Sequence, residues 1–294
     1  MRKTVFFPAM LILTALLFAA CSDSNSGSEP AADPFHFVVV SDTHLELRND
    51  NDPNLRFIAA GELFSAMQPV PEFVVNTGDL VQDLFCIPEV TCEDPLEILT
   101  VYRDLVDTHY AMPMYHVLGN HDTRYFDTFA DQETPRSQWA YVFGGTPWLP
   151  STYYSFEHKG FLFIILNATD LAFDHESNDQ PTFGDHQLGW LADELDKGLP
   201  SILFWHHYIK PPQDSDAPQN PLLPIIAAHA DTIKATFTGH GHDFVRSYFE
   251  GIPFYETDTL GRRDNPVYHL VECDPATGDI TIVNEADITY IEND

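Results

Sequence analysis

The chain has 294 residues and is 44% hydrophobic, which suits one large α/β domain with a sizeable core. Its 45 Asp and Glu against 14 Lys and Arg leave a net charge of -31. That balance excludes electrostatic binding of nucleic-acid backbones, duplexes included, or of anionic membranes, and any anionic ligand would need bound cations to reverse the sign locally.

Residues 1–21 open with Arg2 and Lys3 and continue as an uncharged, largely apolar run to Ala20. The run is short of the roughly 20 apolar residues of a membrane span, and Pro8 interrupts it. It predicts a secretory signal over 1–20. The run closes Phe18-Ala19-Ala20-Cys21, and small residues directly before a Cys resemble the lipobox of bacterial lipoproteins, with Phe18 in place of the usual Leu. The resemblance implies acylation of Cys21, export, and anchoring to the cell envelope (periplasmic face or cell surface) as the chain's membrane contact. The alternative is a plain signal peptide cut near Ala20 and a secreted product. Residues 21–34, rich in Ser, Asp, Ala and Pro, predict a flexible tether, and 35–294 the folded domain. Cys86 and Cys92 sit close together in a loop and can pair in an oxidising compartment. Cys273 is left single, in a strand.

Beyond the tether, strand and helix patterns alternate. Residues 36–40, His-Phe-Val-Val-Val, predict a buried strand. Helical spacing follows over 55–67, a strand over 72–76, a helix over 96–106 and a strand over 114–118. Strands 153–157 and 161–166 pair around a Lys159-Gly160 turn. A helix over 187–195, a strand over 201–205, a helix over 222–230 and a strand over 235–238 come next. A hairpin of 267–273 with 280–284 closes the chain. The alternation predicts α/β architecture, an open sheet or a pair of sheets flanked by helices, with functional residues just past the carboxyl ends of strands.

Five of those ends carry chemistry. They read Ser41-Asp42-Thr43-His44, Thr77-Gly78-Asp79, Gly119-Asn120-His121-Asp122, His206-His207 and Gly239-His240-Gly241-His242. One Asp-x-His is usually a solvated turn; five such ends on five strands are hard to assign to turn chemistry. Imidazole nitrogens with carboxylate and amide oxygens suit Zn, Mn or Fe, and the absence of Cys from the set disfavours a closed structural zinc site. The candidates are too many for one ion that must keep an open position, whereas two ions sharing a carboxylate would use them well.

In this order the motifs resemble the calcineurin-like metallophosphoesterase superfamily, over roughly residues 35–285. The resemblance implies a four-layer α/β/β/α sandwich of two mixed β-sheets flanked by helices, and two divalent or trivalent metal ions. It implies that Asp42, His44 and His242 hold one ion, that Asn120, His206 and His240 hold the other, and that Asp79 bridges them. A shared water, activated by both ions, would attack the phosphorus of a small phosphate ester. His121 would assist the leaving oxygen and Asp122 would orient His121. His207 would line the pocket. A phosphodiester is favoured over a phosphomonoester; a metal-dependent surface binding protein without turnover is the alternative of another class. The protein-phosphatase branch is disfavoured, because the Arg of its Gly-Asp-x-x-Asp-Arg-Gly motif is missing here and Asp122 replaces a Glu. Gln82 occupies the position where purple acid phosphatases carry a Tyr ligand. Arg124, Tyr125, Phe126, Trp139 and Tyr141 are further candidates for contacting substrate.

Overall fold

Strand β1 (Phe35–Val40) is apolar on both faces, and its two faces meet different neighbours. Phe35, Phe37 and Val39 belong to one core cluster, Val38 and Val40 to another. Successive side chains of a strand point to opposite sides, so a strand buried in this way lies between two layers. The computed structural model, which describes residues 32–47, 52–82, 95–123, 152–168, 181–210 and 220–293, shows what those layers are.

Helix α1 (Asp52–Ala66), β2 (Phe73–Asn76), α2 (Pro95–His109) and β3 (Met114–His116) follow β1. After a one-turn helix α3 (Asn120–Thr123) come β4 (Tyr154–His158), β5 (Phe161–Ile165), α4 (Asp185–Leu195), β6 (Ser201–His207), α5 (Leu222–Ala228) and β7 (Ile233–Gly239). Strands β8 (Val245–Phe249), β9 (Ile252–Glu256), β10 (His269–Asp274), β11 (Asp279–Ile282) and β12 (Ile291–Asn293) complete the order. The first sheet runs β11-β10-β1-β2-β3 and the second β12-β8-β9-β7-β6-β5-β4. Both are mixed: β1, β2 and β3 are parallel with β10 antiparallel to β1, and β5, β6 and β7 are parallel with β4 antiparallel to β5.

Three apolar layers hold this together. Val38, Val74, Phe57, Phe64 and Leu99 pack the first sheet against α1 and α2. Leu162, Trp205, Leu191, Leu195 and Ile226 pack the second against α4 and α5. Between the sheets lies a layer dominated by phenylalanine, with Phe37 and Phe73 stacked at 5.1 Å and Phe204 and Phe237 at 5.7 Å. Such pairs contribute about 0.5–1.5 kcal/mol each beyond the area they bury. The result is the four-layer α/β/β/α sandwich. Cys273 is buried on the inter-sheet face of β10 as a free thiol. Among the described residues no helix is long and apolar enough to cross a membrane.

Two buried histidines give the fold an acid limit. Burial holds the imidazoles of His116 and His269 down at about 3, from an ordinary 6.5. Between those values the unfolded chain binds protons that the folded chain refuses. Stability therefore falls as pH drops from about 6.5 toward 3, by about 1.4 kcal/mol per pH unit for each group. His269 sits among Phe237, Phe244 and Tyr290, where a phenyl ring is compatible. Urea unfolding between about pH 7 and pH 4 should show His269→Phe shallower than the parent by about one proton. Equal slopes would remove His269 from this account.

Candidate metal centre

The loop after β1 is zipped to the loop after β2. The Asp42 N–H donates to the Gly78 carbonyl and the His44 N–H to the Asp79 carbonyl, each at 3.0 Å, and Thr43 Oγ1 donates to the Leu80 carbonyl at 2.8 Å. These bonds hold the backbone in an uncommon form. Of the seven described non-glycine residues with positive φ, five are candidate ligands: Asp42 (52°), His44 (46°), Asp79 (50°), His240 (77°) and His242 (62°). Each such conformation costs on the order of 1–3 kcal/mol and persists only where the surroundings over-determine it.

The conformation aims side chains inward. His242 Nε2 lies 3.0 Å from Asp42 Oδ1, His44 Nε2 lies 3.6 Å from the same oxygen, and the two imidazole nitrogens are 3.3 Å apart. A second cluster lies beside the first. Asp79 Oδ2 is 3.2 Å from His206 Nε2, and Asn120 Oδ1 is 3.1 Å from both His206 Nε2 and His240 Nδ1. Asp79 Oδ2 also lies 3.9 Å from His44 Nε2, so one carboxylate stands between the clusters. The groups Asp42–His44–His242 and Asp79–His206–His240 each bring their ligand atoms within 4.8 Å of one another. All seven residues named as ligands are thus assembled at one place, at or just past the carboxyl ends of strands from both sheets.

Backbone carbonyls set which nitrogen faces the centre. His206 Nδ1 donates to the Thr77 carbonyl at 3.0 Å, and His121 Nδ1 to the Gln82 carbonyl. With Nδ1 engaged, Nε2 of each ring is turned to the site, the arrangement that fixes the tautomer of metal-binding histidines. Burial opposes ionisation of Asp42, but hydrogen bonds from His242 and His44 outweigh it and hold the carboxyl well below its usual range. Burial likewise opposes ionisation of Asp79, and the charge and hydrogen bond of His206 overcome it. Burial disfavours a charged His206, yet the Asp79 carboxylate pushes it up to about 9. Two buried carboxylates beside imidazoles whose protons a cation can displace are a donor set that a cation satisfies. Its oxygen and nitrogen composition fits Zn, Mn or Fe.

His121 approaches from the rim. Its Nε2 lies 3.9 Å from Asp79 Oδ2 and its backbone N–H donates to Asp79 Oδ1 at 2.9 Å. The carboxylate of Asp122 is buried and accepts the backbone N–H groups of Gly119 (2.8 Å), Leu80 (3.0 Å) and Val81 (3.2 Å). Burial first, then the Asp79 charge, pushes it up to about 7 against those three donors. Two of the described bonds of Asp122, from Leu80 and Val81, fall on the loop that carries Asp79, and the third, from Gly119, on its own loop beside Asn120. His207 is buried, its ring 4.4 Å from that of His240. Cys21, Cys86, Cys92, Arg124, Tyr125, Phe126, Trp139 and Tyr141 lie outside the described residues.

The glycines beside the ligands do more than turn the chain. A Cβ on Gly119 would collide with Asp79 Oδ1, and one on Gly239 would sit 2.5 Å from Asp42 Oδ2 and closer still to Ser41 Oγ. Gly239→Ala should therefore displace Asp42, lowering stability by about 1–3 kcal/mol and weakening metal retention. Thermal melts with and without added Mn²⁺ would check it; an unchanged metal-induced shift would count against it.

A family model described as calcineurin-like phosphoesterase matches residues 35–244. No curated protein matches the chain. Among solved structures, a dimetal phosphatase from Danio rerio superposes with a TM-score of 0.57 at 16% identity, over 81% of this chain and 93% of the other. A purple acid phosphatase from yellow lupin (Lupinus luteus) seeds gives 0.55 at 12% identity, over 90% of this chain and 55% of that one. A putative 5'-nucleotidase from Staphylococcus aureus, in complex with alpha-ketoglutarate, gives 0.51 at 16% identity, over 85% and 53%. At such identities the likeness is one of fold, and the chain spans about half the length of the last two.

Proposed function

We propose, from the premise that this chain belongs to the calcineurin-like phosphoesterase family and is a metal-dependent phosphoester hydrolase, that it acts on small phosphodiesters. The observation that carries this is the charge of the site. Asp42 and Asp79 would offset half the charge of two divalent ions, and an activated water, as hydroxide, would offset a further unit. Arg263, which reaches the His242 backbone, is already engaged by the carboxylates of Asp258 and Asp243. A small positive surplus suits a monoanionic diester better than a dianionic monoester, and the acidity of the chain as a whole pushes the same way.

When bound, the two cations supply the Lewis acidity that activates water and neutralises phosphoryl oxygens. Asp42, His44 and His242 would hold one, Asn120, His206 and His240 the other, with Asp79 shared. His121 offers Nε2 to the leaving oxygen while Gln82 holds the far side of its ring. Rates on bis-p-nitrophenyl phosphate and p-nitrophenyl phosphate, measured with added Mn²⁺, test the choice. A higher kcat/KM on the diester is expected; a monoester preference would sink it.

The basic, apolar start and the Ala19-Ala20-Cys21 ending support a companion proposal, that the enzyme is exported and held at the envelope by a lipid on Cys21. Expressed in a bacterium, the parent should partition into detergent and Cys21→Ser into the aqueous phase. Identical partitioning would remove the anchor.

A further inference from the structure

Beyond the five motifs, one more segment packs on the ligand loops. It runs from Glu256, the last residue of β9, through the 3₁₀ turn Leu260–Arg262 to Arg263. Ser41 forms a parallel bridge with Thr259, and the Ser41 carbonyl accepts the Leu260 N–H at 2.9 Å. The Asp42 carbonyl accepts both Thr259 Oγ1, at 2.9 Å, and the Gly261 N–H, at 3.0 Å. A Cβ on Gly261 would meet the Thr43 carbonyl at 2.5 Å, so that approach needs a glycine.

The same segment holds the other side of the first cluster. Arg263 Nη2 donates to the His242 carbonyl at 2.9 Å, and its Nε donates to Asp258 Oδ2 at 2.8 Å and Oδ1 at 3.1 Å. Asp258 is itself buried and accepts the Thr259 N–H at 2.7 Å. Glu256 is buried under Gly241, the residue between His240 and His242. The Gly241 N–H meets its carboxyl group, a Cβ there would collide with Oε1, and Oε1 has no hydrogen-bond partner among the described residues. Apart from the bonds Asp258 makes within the segment, each of these contacts falls on a loop that carries Asp42, His44 or His242. His242 also has positive φ, so its loop needs outside bonds to stay where it is.

We infer that Glu256 and Arg263 are positioning residues which clamp the Gly239–His242 turn onto the Ser41–His44 turn, and so set the affinity of the Asp42–His44–His242 half of the metal centre. The inference rests on the two-ion reading above and adds to it a handle that bears on two ligand loops of one half and, through His240, on a single ligand of the other. Residues that orient metal ligands from behind typically change affinity by about 10–100-fold. The other half, built on Asn120, His206 and His240 with Asp79, keeps the Thr77 carbonyl behind His206 and the Asn120 bridge between His206 and His240.

The test uses the full chain, stripped and reloaded with Mn²⁺. Arg263 is about half exposed, so Arg263→Gln should fold; Glu256→Gln, which keeps an oxygen against the Gly241 N–H, is the conservative partner of Glu256→Ala. Metal content after desalting and the Mn²⁺ spin-resonance spectrum are read beside circular dichroism. The parent and a Lys197→Ala control should keep two ions with a coupled signal. Arg263→Gln and Glu256→Ala should lose about one ion and show an isolated-ion signal, with Glu256→Gln closer to the parent. Two coupled ions in Arg263→Gln would overturn the inference while leaving the dinuclear reading intact. A parent that itself never holds two ions would bring down that reading, and the inference with it.

Discussion

Asp79→Asn should abolish turnover and leave the fold standing. Asp79 Oδ2 lies 3.2 Å from His206 Nε2 and 3.9 Å from His44 Nε2, so it is the carboxylate placed to serve both clusters. The amide removes the negative charge and one of the two acceptor oxygens, and it presents an NH₂ group to one neighbour. Asn nonetheless tolerates the left-handed backbone that Asp79 adopts at φ 50°, and an amide oxygen can still accept the His121 N–H now bonded to Oδ1. Loss of an interaction worth several kcal/mol in the transition state amounts to several powers of ten in rate. Circular dichroism should be unchanged and metal content reduced. Chelation of the parent should give the same inactivity, reversed by Mn²⁺. Activity within about tenfold of the parent in Asp79→Asn would mean that the two clusters do not work through this carboxylate.

How far the sequence announced this depends on what each residue does. Strand β1 was legible because burial on both faces demands an apolar run, supplied here by Phe37–Val40, and the ligands were legible because they follow such runs as polar residues. The hairpin β8–β9 was not. Val-Arg-Ser-Tyr-Phe mixes the exposed Tyr248 with an Arg246 engaged by Glu285 and Glu292, and this near-edge strand lacks the apolar excess of the central ones. Strand β12 is three residues on the sheet edge and carries still less pattern. At the site, side-chain chemistry could be read, but the backbone could not. The carbonyls of Thr77 and Gln82 orient His206 and His121, and a carbonyl is the same in every residue. The glycines at 119 and 239 read as turn formers from sequence; that they admit carboxylates at close range appears only once the loops are folded together. Glu256 and Arg263 stayed silent because they lie beyond the fifth motif and nothing in their own pattern marks Gly241 and His242 as their contacts. Asp122 was legible as a site residue, although its described bonds reach the Leu80, Val81 and Gly119 backbone.

His121 should show its role through the leaving group. Its Nδ1 donates to the Gln82 carbonyl, so Nε2 can give a proton only from the doubly protonated ring. An alkoxide departing from phosphorus needs the proton, whereas p-nitrophenolate, the anion of a stronger acid, needs it less. His121→Gln keeps a hydrogen-bond donor of similar reach and leaves the backbone N–H on Asp79 Oδ1 in place, so both metal ions should be retained. The loss of kcat should be about 10²–10⁴-fold for alkyl esters, the range of general acid catalysis, and clearly smaller for p-nitrophenyl esters. A loss of the same size for both leaving groups, with metal content unchanged, would assign His121 to holding the substrate and leave the leaving oxygen without a proton donor from this chain.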